Sequence, residues 1–356
     1  MTKNVVSILC PSYNHEKYVG FFINSLLQQT NSNWELIIVD DCSTDNNVKE
    51  IQKFKDSRIK LIKNQFNMGV NCGLNKAFSE SSGQYISFCA SDDMLMPDYV
   101  ENVFRTFEEH PDRGIIYCDL QIMDNNNELI KDKVYTTSRD DKYKVLRNSF
   151  MYDNCVNSPG MAVKRELFKT LLPLDIPMSQ YQDYKMHIDL LLQSDFVVMD
   201  KISVLYRKND DQSGLSAFTD MTLKRRQLEE NLLMDSYLKI QDVSLLKKIF
   251  ETDLGDFSNV SKKTIPFVLG QLALNSREKY KKVWGYNQIS KFINNPENYA
   301  LVHKIYGFSY KDFLNLAAKF ENDPIEKKYK KYKRLFNRLL VVIAVLILTI
   351  IGIVVF

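Results

Sequence analysis

The stretch WELIIVDDCSTD, residues 34–45, combines an apolar run with an acidic end. Residues 35–39 are mostly aliphatic and β-branched, which is typical of a strand in the interior of a sheet. Two aspartates follow, and then a Ser-Thr-Asp group of the kind that begins a helix. The stretch therefore predicts a buried strand that ends in a polar loop and leads into a helix.

The same alternation continues through the first 120 residues. Apolar runs predict strands at residues 5–10, 35–39, 59–62, 85–89 and 114–118. Helical spacing of apolar residues predicts helices at 16–29, 45–54, 68–80 and 98–109. This order indicates an α/β fold with a mainly parallel sheet and helices on both faces. Such sheets bind ligands at the carboxyl ends of their strands, here residues 11–14, 40–45 and 91–93.

The rest of the chain is less regular at first and then helical. Strands are predicted at residues 160–163 and 196–205, and helices at 164–171 and 183–193. Residues 216–320 are charged and show helical spacing with little β-branched enrichment. We therefore expect a helical region after the α/β part.

Composition excludes several classes of protein. The 356 residues are 45% hydrophobic and 26% charged, which is ordinary for a globular protein and excludes disordered, collagen-like and coiled-coil chains. With 47 basic and 44 acidic residues the net charge is +3, so no nucleic-acid partner is expected. The six cysteines lack metal-finger spacing, and the N-terminus lacks a signal peptide, so a cytoplasmic body with reduced cysteines is expected.

The C-terminal residues give a separate signal. Residues 324–338 contain seven basic residues and one acid, and residues 339–356 contain no charged residue. A helix of that apolar length spans about 27 Å, close to the roughly 30 Å of a bilayer's hydrocarbon core. The sequence predicts a single-pass C-terminal anchor in the cell inner membrane or plasma membrane, with membrane lipids contacting the basic segment. The alternative is a terminal helix buried in an oligomer.

Acidic residues at the predicted strand ends are the candidate ligands. Asp92 and Asp93 follow an apolar run and form a hard-oxygen pair suited to Mg²⁺ or Mn²⁺ with a diphosphate; the alternative is a helix cap. Asp41 is expected to bind a ligand, because adjacent acids at a buried strand end are otherwise costly. For Asp45 a helix N-cap is the favoured interpretation.

Together, these segments resemble the family 2 glycosyltransferases. The resemblance rests on PSYN (11–14), QQT (28–30), WELIIVDDCSTD (34–45) and SDD (91–93), and extends from residue 5 to about residue 216. It implies a nucleotide-sugar-dependent, inverting enzyme of the bacterial surface-polysaccharide type. The implied fold is the A-type glycosyltransferase fold, a mainly parallel nucleotide-sugar-binding sheet with helices on both faces. A C-terminal helical region and one terminal transmembrane helix complete the expected chain.

The resemblance up to residue 216, together with the pattern of charge and hydropathy after it, predicts a division of the chain. Residues 1–119 would form the nucleotide-sugar-binding half, and 120–215 the acceptor and catalytic half of the same domain. The remaining parts are the helical region 216–323, the basic juxtamembrane segment 324–338 and the transmembrane helix 339–356.

Roles for single residues follow from the same resemblance. On the donor side, Pro11, Tyr13 and Asp41 would hold the base and ribose. Asp92 would contact the ribose and, with Asp93, a Mn²⁺ or Mg²⁺ ion on the diphosphate. The segment QDYKM (182–186) resembles the family's Glu-Asp-Tyr segment, which makes Asp183 the general base; the alternative is an exposed acid in the first turn of a helix.

The family has a flexible Tyr-Arg-x-His segment that closes over the diphosphate. LYRKN (205–209), followed by Ser213, resembles that segment. Arg207 would there neutralise the leaving group, unless it is only a surface charge. His187 is expected to be packed or solvated rather than to line the acceptor site.

Several positions depart from the family pattern. Ala90 stands in place of the first acid of Asp-x-Asp, Gln182 in place of Glu, Asn209 in place of His, and Leu74 where many relatives have Arg. We expect transfer from a UDP-sugar to a hydroxyl of a saccharide or a polyprenyl-linked saccharide. The alternative is a catalytically weak, transferase-like scaffold protein at the membrane. Homo-oligomerisation stays open.

Overall fold

A computed structural model describes residues 3–208, 219–320, 328–329 and 331–340. The chain divides into two compact units, Met1–Asp253 and Leu254–Phe356. The domain boundaries expected from the sequence stay predictions. The division after Asp253 groups the first helices of the expected helical region with the α/β part.

Among the described residues, the first unit contains all the strands and nine α-helices. The strands are β1 (Lys3–Ser12), β2 (Trp34–Asp40), β3 (Ile59–Lys63), β4 (Gly83–Phe88), β5 (Met94–Leu95), β6 (Ile115–Met123), β7 (Leu129–Tyr135), β8 (Ala162–Lys164) and β9 (Phe196–Arg207). The helices are α1 (Val19–Leu27), α2 (Asn47–Gln52), α3 (Val70–Ser79), α4 (Tyr99–Glu109), α5 (Lys142–Met151), α6 (Arg165–Lys169), α7 (Gln182–Leu191), α8 (Asp220–Met234) and α9 (Val243–Ile249).

The strands form one mixed sheet within the described part of the chain. Its order is β3-β2-β1-β4-β8-β6-β9-β5, with β7 paired to β6. The pairs among β1 to β4 are parallel, as is β6 with β9, whereas β5, β7 and β8 pair antiparallel. The α/β class is confirmed. The strand predicted at residues 160–163 corresponds to β8, although its antiparallel pairing was not expected. β5 and β7 were not predicted, since β5 has only two residues and β7 is almost wholly exposed.

The parallel register brings the candidate ligand residues to one edge. Ser12 at the end of β1 pairs with Asp40 of β2, and Leu9 of β1 pairs with Phe88 of β4. The three strands therefore end side by side. Fully buried side chains such as Phe22, Trp34 and Tyr99 pack α1 and α4 against the sheet and hold this edge in place.

The second unit is helical, as the sequence predicts. Its α-helices are α10 (Ile265–Ala273), α11 (Lys279–Ile293), α12 (Pro296–Tyr306) and α13 (Tyr310–Asn315). Gly270 of α10 and Gly285 of α11 let the two helices approach closely. A Cβ atom added at Gly285 would lie 2.6 Å from the Gly270 carbonyl oxygen, which a larger residue would not allow.

The predicted transmembrane segment 339–356 lies almost entirely outside the described residues. Residues 331–340 are helical, and Tyr332 and Phe336 are exposed on them. In the part of the chain that the structure describes, no helix is long and apolar enough to cross a membrane.

Candidate active site

Two loops meet at the edge where β1 and β2 end. The Asn14 N–H donates to Ser43 Oγ at 3.0 Å, and the Thr44 N–H donates to Asn14 Oδ1 at 2.8 Å. Asn14 adopts a left-handed φ of 55°, a conformation that Asn tolerates better than most residues. These bonds hold the turn at Pro11 and Tyr13 in place. Pro11 is half-buried, and the Tyr13 ring is 43% exposed.

Asp40 and Asp41 are buried and satisfied by the chain itself. Asp41 Oδ1 accepts from Asn64 Nδ2 and the Met68 N–H, both at 2.7 Å, and its Oδ2 accepts from the Gly69 N–H at 2.8 Å. Asp40 accepts from Asn47 Nδ2 and from the Ser43 N–H. Internal donors therefore offset the cost of burying these acids, without a ligand. Binding of the donor by Asp41 stays a prediction.

Asp92 and Asp93 point into different surroundings. Asp93 is 1% exposed, and its Oδ1 accepts from the Arg207 N–H at 2.8 Å. Burial, together with the charge of Asp92, raises the pKa of the Asp93 carboxyl well above its usual value. The side chain of Asp92 keeps 16% exposure. A metal-ligating role for Asp93 stays a prediction, and its buried position disfavours it.

His15 lies beside Asp92, a neighbour that the sequence analysis did not single out. Its Nε2 is 3.9 Å from Asp92 Oδ2, and its Nδ1 is 2.7 Å from Ser91 Oγ. Ser91 Oγ in turn donates to Ser12 Oγ at 2.8 Å. The position of His15 directly after the turn at the end of β1 is the signal that could have identified it.

Arg207 is buried with its donors engaged. Its Nε donates to the Asp92 carbonyl at 2.8 Å, Nη1 to the Asp124 carbonyl at 2.6 Å and Nη2 to Asn127 Oδ1 at 2.5 Å. The guanidinium also lies 4.3 Å from the centre of the Tyr18 ring. Arg207 thus ties the end of β9 to the loop after β4. Its role toward a diphosphate stays a prediction, and Asn209 and Ser213 lie outside the described residues.

Asp183 is the second residue of α7. The residue is half-buried, and its Oδ1 accepts a hydrogen bond from the Tyr184 N–H at 2.8 Å. Burial raises the pKa of the Asp183 carboxyl, while the charge of Arg226 acts in the opposite direction. A carboxylate with a raised pKa is a better proton acceptor, which suits a general base.

His187, one turn further along α7, is part of the core. It is 1% exposed, and its Nδ1 lies 3.1 Å from the Tyr117 hydroxyl. Burial lowers the pKa of His187 to about 3, so the ring is neutral at physiological pH. The expectation that His187 packs rather than binds an acceptor agrees with this placement.

The described residues contain no group of three or more His, Cys, Asp or Glu side chains that could hold a metal ion. Asp92 and His15 form a two-group arrangement instead. Mg²⁺ and Mn²⁺ bound to nucleotides commonly need only one or two protein groups, because phosphate oxygens and water supply the rest. The residues present therefore fit a metal that binds together with a diphosphate.

Comparisons with known proteins agree with this fold. Residues 7–172 match the model of the family Glycosyl transferase family 2. The chain is 30% identical over 227 residues to WfgD of Escherichia coli, a UDP-Glc:alpha-D-GlcNAc-diphosphoundecaprenol beta-1,3-glucosyltransferase. The aligned residues cover 64% of this chain and 85% of WfgD. It is 39% identical over 101 residues to TuaG of Bacillus subtilis, a putative teichuronic acid biosynthesis glycosyltransferase, covering 28% of this chain and 40% of TuaG.

Among solved structures, S. aureus TarS 1-349 has the same fold. Its complexes with UDP and with UDP-GlcNAc each superpose with a TM-score of 0.55 at 17% identity, over 86% of this chain and 93% of that chain. The fold and these relatives thus define a transferase enzyme with an A-type-like α/β architecture. The chain belongs to glycosyltransferase family 2, which confirms the resemblance found in its sequence.

Proposed function

We propose that the protein is an inverting glycosyltransferase that moves a sugar from a UDP-sugar to a hydroxyl of a saccharide or polyprenyl-linked saccharide in surface polysaccharide assembly. The observation that carries the proposal is Asp183, a carboxylate with a raised pKa on a helix separate from the acidic strand ends. The names of WfgD and TuaG support the donor, the lipid-linked acceptor and the polysaccharide role.

The donor would bind at the edge formed by β1, β2 and β4. The exposed ring of Tyr13 is available to stack on a base, beside the half-buried Pro11. Asp41 shapes the same edge by holding the backbone at Met68 and Gly69. The UDP and UDP-GlcNAc complexes of TarS support a uridine nucleotide as the donor.

Asp92 and His15 would hold a divalent cation on the diphosphate. When bound, such a cation neutralises negative charge that builds up on the departing diphosphate. With Nδ1 on Ser91 Oγ, Nε2 of His15 faces Asp92 and would be the ring nitrogen that binds the cation. In this arrangement His15, paired with Asp92, would take the place of the first acid of Asp-x-Asp, where this chain has Ala90.

Asp183 would accept the proton of the acceptor hydroxyl. The acceptor oxygen then forms the new bond to the anomeric carbon, while the bond from that carbon to the diphosphate oxygen breaks. The leaving UDP takes the electron pair, and the proton stays on the Asp183 carboxylate. A single displacement from the opposite face inverts the configuration, and no covalent intermediate with the enzyme is needed.

Membrane attachment belongs to the same proposal. The basic residues of 324–338 and the apolar segment 339–356 would anchor the protein at the inner or plasma membrane with its body in the cytoplasm. That placement would bring the site close to an acceptor that is itself carried on a lipid.

The test is UDP release from UDP-glucose with Mn²⁺ and a GlcNAc-diphospholipid acceptor. Asp183→Asn should lower kcat by about 10²–10⁴-fold, because it removes the base. Asp112→Asn, at an exposed acid, is the matched control and should keep the wild-type rate. A fully active Asp183→Asn enzyme would refute the base. Absence of turnover by the wild-type protein with both UDP-glucose and UDP-GlcNAc would favour the scaffold alternative.

A further inference from the structure

Glu229 of α8 makes an unusual set of contacts with the start of α7. The residue is 7% exposed. Its Oε1 accepts from the N–H and the hydroxyl of Ser179, at 3.0 and 2.9 Å. Its Oε2 accepts from the N–H groups of Gln180 and Tyr181, at 2.8 and 2.9 Å. Three successive backbone N–H groups therefore converge on one carboxylate.

These bonds act at the point where α7 begins. Tyr181 is the N-cap of α7 and makes no side-chain capping bond of its own. Hydrogen bonds to an ionised carboxylate are about twice as strong as neutral ones. Glu229 thus fixes the backbone that leads into α7, and Asp183 follows two residues after the last of these N–H groups.

A second residue of α8 acts on the same turn. Arg226 precedes Glu229 by three residues, so the two side chains lie on the same face of the helix. The charge of Arg226 lowers the pKa of Asp183 against the effect of burial. α8 lies beyond residues 7–172, the part matched by the family model, and yet it reaches the proposed base.

We propose that Glu229 is a positioning residue for the transfer reaction, because its carboxylate fixes the backbone at residues 179–181 and thereby directs Asp183 toward the acceptor hydroxyl. The inference rests on the proposed role of Asp183 as general base. It assigns to the helical region a part in catalysis, in addition to any part in attachment.

The first experiment uses Glu229→Gln in the full-length protein. The amide keeps the size of the side chain and one acceptor oxygen, but it turns an NH2 group toward the N–H donors on the other side. Hydrogen exchange of the amides of residues 179–181 should become at least tenfold faster. The kcat with UDP-glucose should fall about 10- to 100-fold, because small misplacements of a catalytic group cost about that much. The KM for UDP-glucose should stay within twofold.

Asp220→Asn is the control, since it changes an exposed acid of the same helix. It should leave the exchange at residues 179–181 and the kcat near the wild-type values. Glu229→Asp keeps the charge with a shorter reach and should recover part of the lost kcat. If the Glu229→Gln protein does not fold, the Glu229→Asp protein takes its place in the same measurements. Equal losses of kcat in the Glu229→Gln and Asp220→Asn proteins, or unchanged exchange in the former, would overturn the inference.

The double variant Asp183→Asn/Glu229→Gln separates this inference from the proposed function. If Glu229 acts through Asp183, the double variant should be no slower than Asp183→Asn alone. A further tenfold loss in the double variant would overturn the inference and leave the base intact. A fully active Asp183→Asn enzyme would instead refute the base itself.

Discussion

The two Asp-Asp pairs of the first unit share a sequence and an edge of the sheet, but their surroundings differ. The side chains of Asp40 and Asp41 both lie inside the protein, where they accept hydrogen bonds from side-chain amides and backbone N–H groups. The side chains of Asp92 and Asp93 point into different surroundings, and of the two only that of Asp92 stays accessible to solvent, beside His15. Local sequence does not determine whether an acid is a structural anchor or a ligand. The donors around it do.

The largest expected effect separates Asp92 from Asp93. Asp92→Asn should lower kcat/KM for UDP-glucose about 10²-fold or more, because it removes the accessible charge that would hold the cation. Asp93→Asn should change kcat/KM by less than about threefold, since Asp93 is buried and an amide oxygen can keep the hydrogen bond from the Arg207 N–H. Initial rates with Mn²⁺ measure both. Equal losses would mean that the two acids work as one metal site.

Asp41→Asn tests the structural pair. The amide would face the Gly69 N–H with another N–H and lose the charge, so the free energy of unfolding should fall by about 2–3 kcal/mol. Urea denaturation measures the change. Asp112→Asn, at an exposed acid, should stay within about 0.5 kcal/mol. An unchanged free energy of unfolding together with a large rise in KM for UDP-glucose would make Asp41 a ligand rather than an anchor.

His187 extends the comparison to a buried base that lacks a carboxylate partner. Below pH 6.5 the unfolded chain binds a proton at this ring, and the folded protein does not until about pH 3. Stability should therefore fall as the pH decreases through this range, by about 2 kcal/mol at pH 5 from this group. His187→Phe should remove that part of the fall between pH 7 and pH 5 in urea titrations. An unaltered pH dependence in the His187 variant would contradict the prediction.

The smallest expected effect comes from restoring the missing acid. Ala90 is exposed, so Ala90→Asp should fold normally and place a second carboxylate near Asp92. The Kd for Mn²⁺ in the presence of UDP should decrease by roughly three- to tenfold, because affinity rises with the charge of the ligands. Calorimetric titration measures it, with Ala90→Asn as control. An unchanged Kd would indicate that His15 already completes the site.

Part of the fold was predictable because its signals are local. The strands that became β1 to β4 and β6 are mostly apolar segments of at least four residues, interrupted at most by one polar residue such as Lys60, and the intervening helices have a clear period. α5 was not predicted, although Val145, Leu146 and Phe150 are buried on one side of it. The edge strand β7 is almost wholly exposed, so it carries no hydrophobic pattern either.

The candidate site was predictable only in outline. The motif segments identified the strand ends, Asp92 and Asp183. They gave no indication that Arg207 binds the carbonyls of Asp92 and Asp124, since backbone acceptors have no sequence signature. The proximity of His15 to Asp92 spans 77 positions in the chain, which no local pattern reports.

By itself the sequence determined the α/β class, the parallel strands of the first half and the family, because these depend on hydrophobic period and on short motifs. Only the tertiary structure decided which acids are satisfied internally, which one shares a surface with His15, and that Glu229 holds the start of α7. The physical reason is that burial and hydrogen-bond donors come from residues far apart in the chain, and their contributions to a carboxylate are set only when the elements pack.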